Sequence, residues 1–307
     1  MEDEAARDAR KTLTQLTAAI ESHWGSDLLG LYLFGSLAGG GFYAGKSDLD
    51  VMAVVTAEVE EGQQLEGLRV LHEAFVAERP AWVERIEVVY VDREVLRTLT
   101  DRPRGRIAVV CPGEPLHVRD AGFESTLDWH GVTTQGETIL GPPPLDLGPK
   151  ISRDAYRHAV EVLLKEWPSR VRAPWVAYVP AHQGYVVMTI CRALYSLATG
   201  EQTTKEEAAA WAAARYPEWS SFISEAQQRY RADVRDSHHA LISFTDHAAR
   251  VEIEEVRMCF AVTANYLDRR GQLQLIRARA DQRRRAAVGS DDPHPRECDR
   301  LDRPDRD

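Results

Sequence analysis

The sequence predicts an α+β fold in two parts: an N-terminal mixed sheet with helices, then a C-terminal all-helical bundle. Three observations carry this. Apolar runs of strand length alternate with helical spacing over the first part of the chain, the stiff stretch Gly141-Pro142-Pro143-Pro144 interrupts it, and only helical spacing continues beyond. At 307 residues the chain is about twice the ~150 of a single domain, which leaves room for both parts.

Taken in order, residues 4 to 24 place Leu13, Leu16, Ile20 and Trp24 on one helical face, with Gly25 where a C-cap would sit. Leu28 to Phe34 is a strand-length apolar run ending at Gly35-Ser36, and Leu49 to Thr56 is a second, valine-rich run. Leu65, Leu68, Leu71 and Phe75 restore helical spacing before Pro80, and Ile86 to Val91 is a third β-branched run. From Asp92 to Pro149 the pattern weakens to short pieces such as Arg106 to Cys111, and the boundary is expected near 141 to 150. Helices are then expected over 152 to 166, 182 to 199, 205 to 215, 218 to 234 and 240 to 272. This gives one domain over 1–145, a helical domain over 150–275, and a disordered tail over 289–307 with dense mixed charge and no apolar period.

Composition narrows the function. Asp plus Glu exceed Lys plus Arg by 48 to 38, a net charge of −10, which disfavours a grip on nucleic-acid phosphates. Four widely spaced cysteines without a CxxC pair suggest neither a disulfide framework nor a zinc knuckle. The start MEDEAARDARK is unlike a signal peptide, and no apolar stretch reaches the ~18 residues of a membrane span. The expectation is a cytoplasmic monomer with no nucleic-acid or membrane partner.

The chemistry concentrates in LYLFGSLAGGGFYAGKSDLDVMAVV, residues 31–55. A strand runs into Gly35-Ser36, where glycine permits a tight turn and the following N–H groups and the serine hydroxyl can face a phosphate. Ser47-Asp48-Leu49-Asp50 then leads into the next strand, and alternation puts Asp48 and Asp50 on one face. Two adjacent carboxylates repel unless they share a cation, so Mg²⁺ bridging to a bound triphosphate is their natural use. A lone Gly-Ser or Asp-x-Asp says little; the whole series, in order around one turn, is specific. The lone carboxylate of the third strand, Glu87, would face the aspartates if the strands are neighbours; the competing reading is an exposed charge on an amphipathic strand.

On these residues the segment resembles the DNA polymerase β-like nucleotidyltransferase superfamily, in particular its aminoglycoside adenylyltransferase branch. The resemblance implies that Glu87 is the general base and, with Asp48 and Asp50, a metal ligand. TICRALYSLATGEQTTKEEAAAWAAARYP, residues 189–217, is similar to the helix, turn and helix of the streptomycin/spectinomycin 3″(9)-adenylyltransferases. By that resemblance Arg192, Lys205 and Tyr230 join Gly35, Ser36 and Ser47 in holding ATP. Lys205 could equally be a solvated side chain, although the first turn of a helix disfavours a cation unless an anion is near.

One departure stands out. AYVPAHQGYVV places His182 where the resembled enzymes carry an aspartate and Tyr185 where they carry a histidine; these two and Trp175 are the candidate acceptor contacts. A mostly neutral histidine attracts a cationic drug less than an aspartate does. Streptomycin is therefore expected to be a poor acceptor relative to spectinomycin or another cyclitol, unless other carboxylates such as Glu166 or Asp154 form an acidic wall. The function expected is Mg²⁺-dependent transfer of AMP from ATP to a hydroxyl of an aminoglycoside or aminocyclitol, releasing pyrophosphate. The alternative is adenylylation of a protein, antitoxin-like, or a nucleotide-sensing regulator.

Overall fold

The computed structural model describes residues 2–100, 102–112, 114–170 and 180–231. All the described residues belong to one compact unit. The expected helix 240–272 and tail 289–307 lie outside the described residues.

Helix α1 (Glu2–Trp24) leads into strand β1 (Leu28–Phe34), the single turn α2 (Gly35–Ala38) and strand β2 (Leu49–Val55). Helix α3 (Gln63–Ala77), strand β3 (Ile86–Asp92) and the short α4 (Arg93–Leu96) follow. The stretch where the sequence pattern weakens contains β4 (Arg106–Cys111), which coincides with the apolar piece read there, then β5 (Glu114–Asp120), α5 (Phe123–Thr134) and β6 (Glu137–Leu140), and a turn of helix, α6 (Pro144–Leu147), closes it. The strands form one six-stranded sheet in the order β5-β4-β3-β2-β1-β6. Only β2 and β3 run parallel, joined over α3; the other neighbours are antiparallel.

The pleat sorts the sheet into two faces. Leu31, Leu33, Val51, Ala53, Val55, Val88 and Tyr90 are buried in one cluster with Leu16, Ile20, Leu68 and Phe75 of α1 and α3, which is why those helices carry apolar stripes. The alternate residues, Tyr32, Asp50, Met52, Glu87 and Val89, face the other way. There Tyr32 meets Trp129 of α5 edge to face, with ring centroids 6.3 Å apart. The carboxylates of β2 and β3 therefore point into the layer between the sheet and α5.

The helical part consists of α7 (Arg153–Arg170), α8 (Pro180–Thr199), α9 (Lys205–Arg215) and α10 (Ser220–Arg231). α7 packs on α5, and α8 packs on α7, α9 and α10, so one chain of contacts ties the bundle to the acidic face of the sheet. Gly184 sets the closest approach: a Cβ there would lie 2.5 Å from the backbone nitrogen of Tyr230, so α8 and α10 can touch only through a glycine. α9 starts with a capping box in which the Thr204 hydroxyl accepts from Glu207 N and the Glu207 carboxylate accepts from Thr204 N. That cap fixes Lys205 as the first residue of the helix.

Candidate active site

The turn after β1 is built around Asp50. Gly35 has φ +67°, and a Cβ at this position would collide with the Asp50 carboxylate. The N–H of Ser36 donates to that carboxylate. A donor read from the sequence as part of a phosphate cradle is thus already engaged by an acid of the protein, and it orients Asp50. Ser47 is likewise committed within its own loop: its hydroxyl accepts from Tyr43 N at 2.8 Å, and its carbonyl accepts from Arg85 Nη2 at 2.6 Å and Nε at 3.2 Å. It positions the neighbouring Asp48, while the Arg85 guanidinium, lying 4.5 Å over the Trp82 ring, adds a favourable charge for Asp48.

Asp50 and Glu87 are register partners across the parallel β2–β3 pair and so share a face. Burial, and then the Asp50 charge, push the Asp48 carboxyl up to about 7. Burial also raises Asp50, against the pull of the Ser36 N–H, Lys205 and Arg192. Glu87 is raised well above the ordinary range by burial, and then by Asp128, Asp50 and Asp48, with Arg119 opposing. Asp128, from α5, is a fourth member that the sequence reading missed; burial and then Asp50 raise it, while Arg119 and Arg192 pull it back. Arg119 reaches this group from β5, and its buried Nε has no hydrogen-bond partner.

Among the described residues, no three histidine, cysteine, aspartate or glutamate side chains are arranged to hold a metal ion unaided. This donor set still fits Mg²⁺, which takes one or two carboxylates and completes its shell with substrate phosphates and water. Four half-buried carboxylates held above their ordinary pKa by desolvation, and three of them then by one another, are a cluster that a divalent cation would relieve.

The helical residues close over this acid group. The Lys205 amine lies 4.3 Å from the Tyr185 ring and 5.2 Å from the Tyr230 ring, and donates to the Tyr230 hydroxyl at 3.4 Å. Burial, and then Arg192, lower it to about 8, against the attraction of Asp50, Asp48 and Glu206. Arg192 acts on Asp50, Asp128, Lys205 and Tyr230 alike, which puts it at the centre of the group. Burial, and then Glu206 and Tyr185, push the Tyr230 hydroxyl up to about 12. From the loop before Asp48, the Lys46 amine donates to the Tyr230 carbonyl and lies 5.6 Å from its ring. Tyr185, 38% exposed, forms a wall beneath Lys205. His182 lies in the first turn of α8, but its side chain, like that of Glu166, is outside what is described; Trp175 lies outside the described residues altogether. Asp154 is exposed in the first turn of α7.

Residues 146–251 match the sequence model of the aminoglycoside adenylyltransferase C-terminal domain. Over these residues, the helical part, the chain is similar to that family. A solved structure of similar fold is the spectinomycin adenyltransferase AAD(9) from Enterococcus faecialis, determined with ATP and spectinomycin. It has a TM-score of 0.60 and 16% identity, and the likeness covers 81% of this chain and 99% of that one. No curated protein matches the chain significantly in sequence. No described helix is long and apolar enough to cross a membrane.

The sequence signals of Asp48, Asp50, Glu87, Arg192, Lys205 and Tyr230 lead to side chains that meet at one place. Asp128, Arg119 and Lys46 join them without a sequence signal. Asp128 is one of two acids, with Glu124, on a helix of mixed character, and Arg119 sits on a strand whose alternation is weak. Lys46 has meaning only once α10 is seen to pass beside its loop.

Proposed function

We propose that the protein transfers AMP from MgATP to a hydroxyl of an aminocyclitol or aminoglycoside antibiotic and releases pyrophosphate. The observation that carries this reading is the meeting of four half-buried carboxylates with Arg192, Lys205 and Tyr230 in one group, an acid pole for a cation facing a basic pole for phosphates. Asp48 and Asp50 would hold Mg²⁺, which neutralises charge on the triphosphate when bound. Arg192 and Lys205 orient the phosphates, and the Tyr230 hydroxyl fixes the Lys205 amine between two rings.

Glu87 takes the proton from the acceptor hydroxyl. The oxygen then forms a bond to the α-phosphorus as the bond to the β-phosphate oxygen breaks, and pyrophosphate leaves with that electron pair. A carboxylate raised by burial and by neighbouring acids is a stronger base than one in water, which suits this step. The acceptor class is supported by the family match over 146–251 and by the antibiotic bound in the AAD(9) structure. His182 in place of an acid favours the less cationic spectinomycin type over streptomycin.

Incubation with labelled ATP, Mg²⁺ and a panel containing spectinomycin, streptomycin and other aminoglycosides tests this directly. Labelled AMP should appear on spectinomycin or a related cyclitol with stoichiometric pyrophosphate. Efficient labelling of streptomycin would overturn the preference for the spectinomycin type read from His182, and labelling of protein alone would overturn the small-molecule reading.

A further inference from the structure

The loop between α2 and β2 touches the sheet part and the helical part at once. Gly40 and Gly45, at φ +80° and +75°, turn the chain outward and back again. Between them Phe42 packs against the core that the sheet shares with α1 and α3, while the Tyr43 ring meets the Tyr230 ring of α10 edge to face, with centroids 6.2 Å apart. The Tyr43 hydroxyl faces Glu206 of α9 and Arg231 of α10. Lys46, half-buried like Tyr43, donates from its amine to the Tyr230 carbonyl and lies over the same ring. Tyr230 is thus held from two points of one loop.

The loop is closed on itself where it makes these contacts. Ser47 N donates to the Tyr43 carbonyl at 2.9 Å, Lys46 N to the same carbonyl at 3.2 Å, and Tyr43 N to Ser47 Oγ at 2.8 Å, which makes a cross-tied turn of residues 43–47 that runs straight into Asp48. On its far side Tyr230 holds Lys205, whose amine donates to its hydroxyl at 3.4 Å. A path of direct contacts therefore leads from Asp48 through Ser47 and Lys46 to Tyr230 and Lys205. Fixing a lysine side chain costs rotamer entropy, so a grip assembled before its ligand arrives binds that ligand more tightly than one assembled by it.

We propose that Tyr43 and Lys46 are positioning residues: as one strap they set the Tyr230–Lys205 pair at a fixed place relative to Asp48, so that the phosphates and the cation of one MgATP are met together. The inference rests on the adenylyl-transfer reading for the roles of Asp48 and Lys205. It gives Tyr43 and Lys46 no contact with the ligand. Their effect on binding must pass through Tyr230, and cutting the strap at either residue has the same consequence.

The test is calorimetric titration of the full chain with MgATP and with Mg-tripolyphosphate, for wild type, Lys46→Met, Tyr43→Leu, the double variant and Lys46→Arg, with Tm measured for each. Methionine keeps most of the lysine's length and leucine much of the tyrosine's apolar bulk, so the contacts go while the loop stays filled. Each single variant should weaken both ligands about 5- to 10-fold, the scale of one hydrogen bond or one cation–ring contact. The double variant should bind within about 2-fold of the weaker single one, because the two residues act as a unit. Lys46→Arg, which keeps the cation and the donor, should bind close to wild type. Weakening by Lys46→Met but not by Tyr43→Leu would make the lysine a direct phosphate ligand, and losses that multiply in the double variant would make the two residues independent; either result overturns the strap. A lower Tm with both affinities unchanged overturns it as well. All three leave adenylyl transfer standing, whereas a wild type that binds no MgATP overturns both.

Discussion

Glu87 shows how one residue is made reactive by its position. On a solvated strand it would be an ordinary carboxylate; opposite Asp50 and near Asp128 it is buried among like charges and its pKa rises. Replacing it by glutamine keeps the shape and removes the base. Glu87→Gln should lower kcat by ~10²-fold or more, with little change in the KM for ATP, as steady-state pyrophosphate release would show. Turnover near wild type would remove Glu87 from the mechanism. Gly35 is constrained from the other side of Asp50, since an added methyl would strike that carboxylate and the positive φ would be strained as well. Gly35→Ala should therefore abolish Mg²⁺-supported turnover and also lower stability, whereas Asp50→Asn should abolish turnover while leaving the urea midpoint at least as high, because it removes a desolvated charge. An equal loss of stability in both variants would contradict the distinction.

At the scale of elements, the first half was legible where strands and helices kept clean periods. β1 begins and ends where the apolar run Leu28 to Phe34 does, and α9 coincides with the expected helix over 205 to 215. Apart from β4, the stretch between Asp92 and Pro149 was not legible, for physical reasons. β5 is an edge strand with most of its residues partly exposed, β6 is another edge of only four residues, and α5 buries Ser125, Thr126 and His130 beside Trp129, so no apolar period marks it. Asp128 was lost with α5. The bundle was legible as helices, but the contact that brings Tyr230 to Lys205 depends on Gly184, whose meaning appears only when α8 and α10 are side by side. Gly184→Ala should push α10 away from α8. The expected result is a rise in the KM for ATP, through displaced Tyr230 and Lys205, with a stability loss of about 1–3 kcal/mol measured by denaturant unfolding. Wild-type KM in a destabilised Gly184→Ala variant would separate this packing from nucleotide binding.

At the scale of the whole molecule, the acid group ties stability to pH in the direction opposite to ordinary salt-bridged carboxylates. Asp48 titrates near 3.8 in the unfolded chain and at about 7 when folded, and Asp50, Glu87 and Asp128 are raised as well. As pH rises through this window the folded protein holds protons that the unfolded chain has lost, so the unfolded state binds fewer and stability falls. His72 works the other way: buried against the Tyr90 hydroxyl at 2.8 Å and lowered to about 4, it makes stability rise with pH from about 4 to 6.5. Lys205, lowered to about 8, makes stability rise only above that value. The interval from about pH 6.5 to 8 therefore isolates the carboxylates. Without nucleotide, Tm should fall across it in wild type and fall less in Asp48→Asn, where one proton-binding group is gone; losing the Asp48 charge also lowers Lys205 further, which flattens the slope in the same direction. MgATP should raise Tm more at pH 8 than at pH 6.5, because at the lower pH the bound cation must first displace protons from the cluster. The same slope in wild type and Asp48→Asn, together with a MgATP effect independent of pH, would mean that these acids do not share their charge in the folded protein and would remove the basis for placing the cation among them.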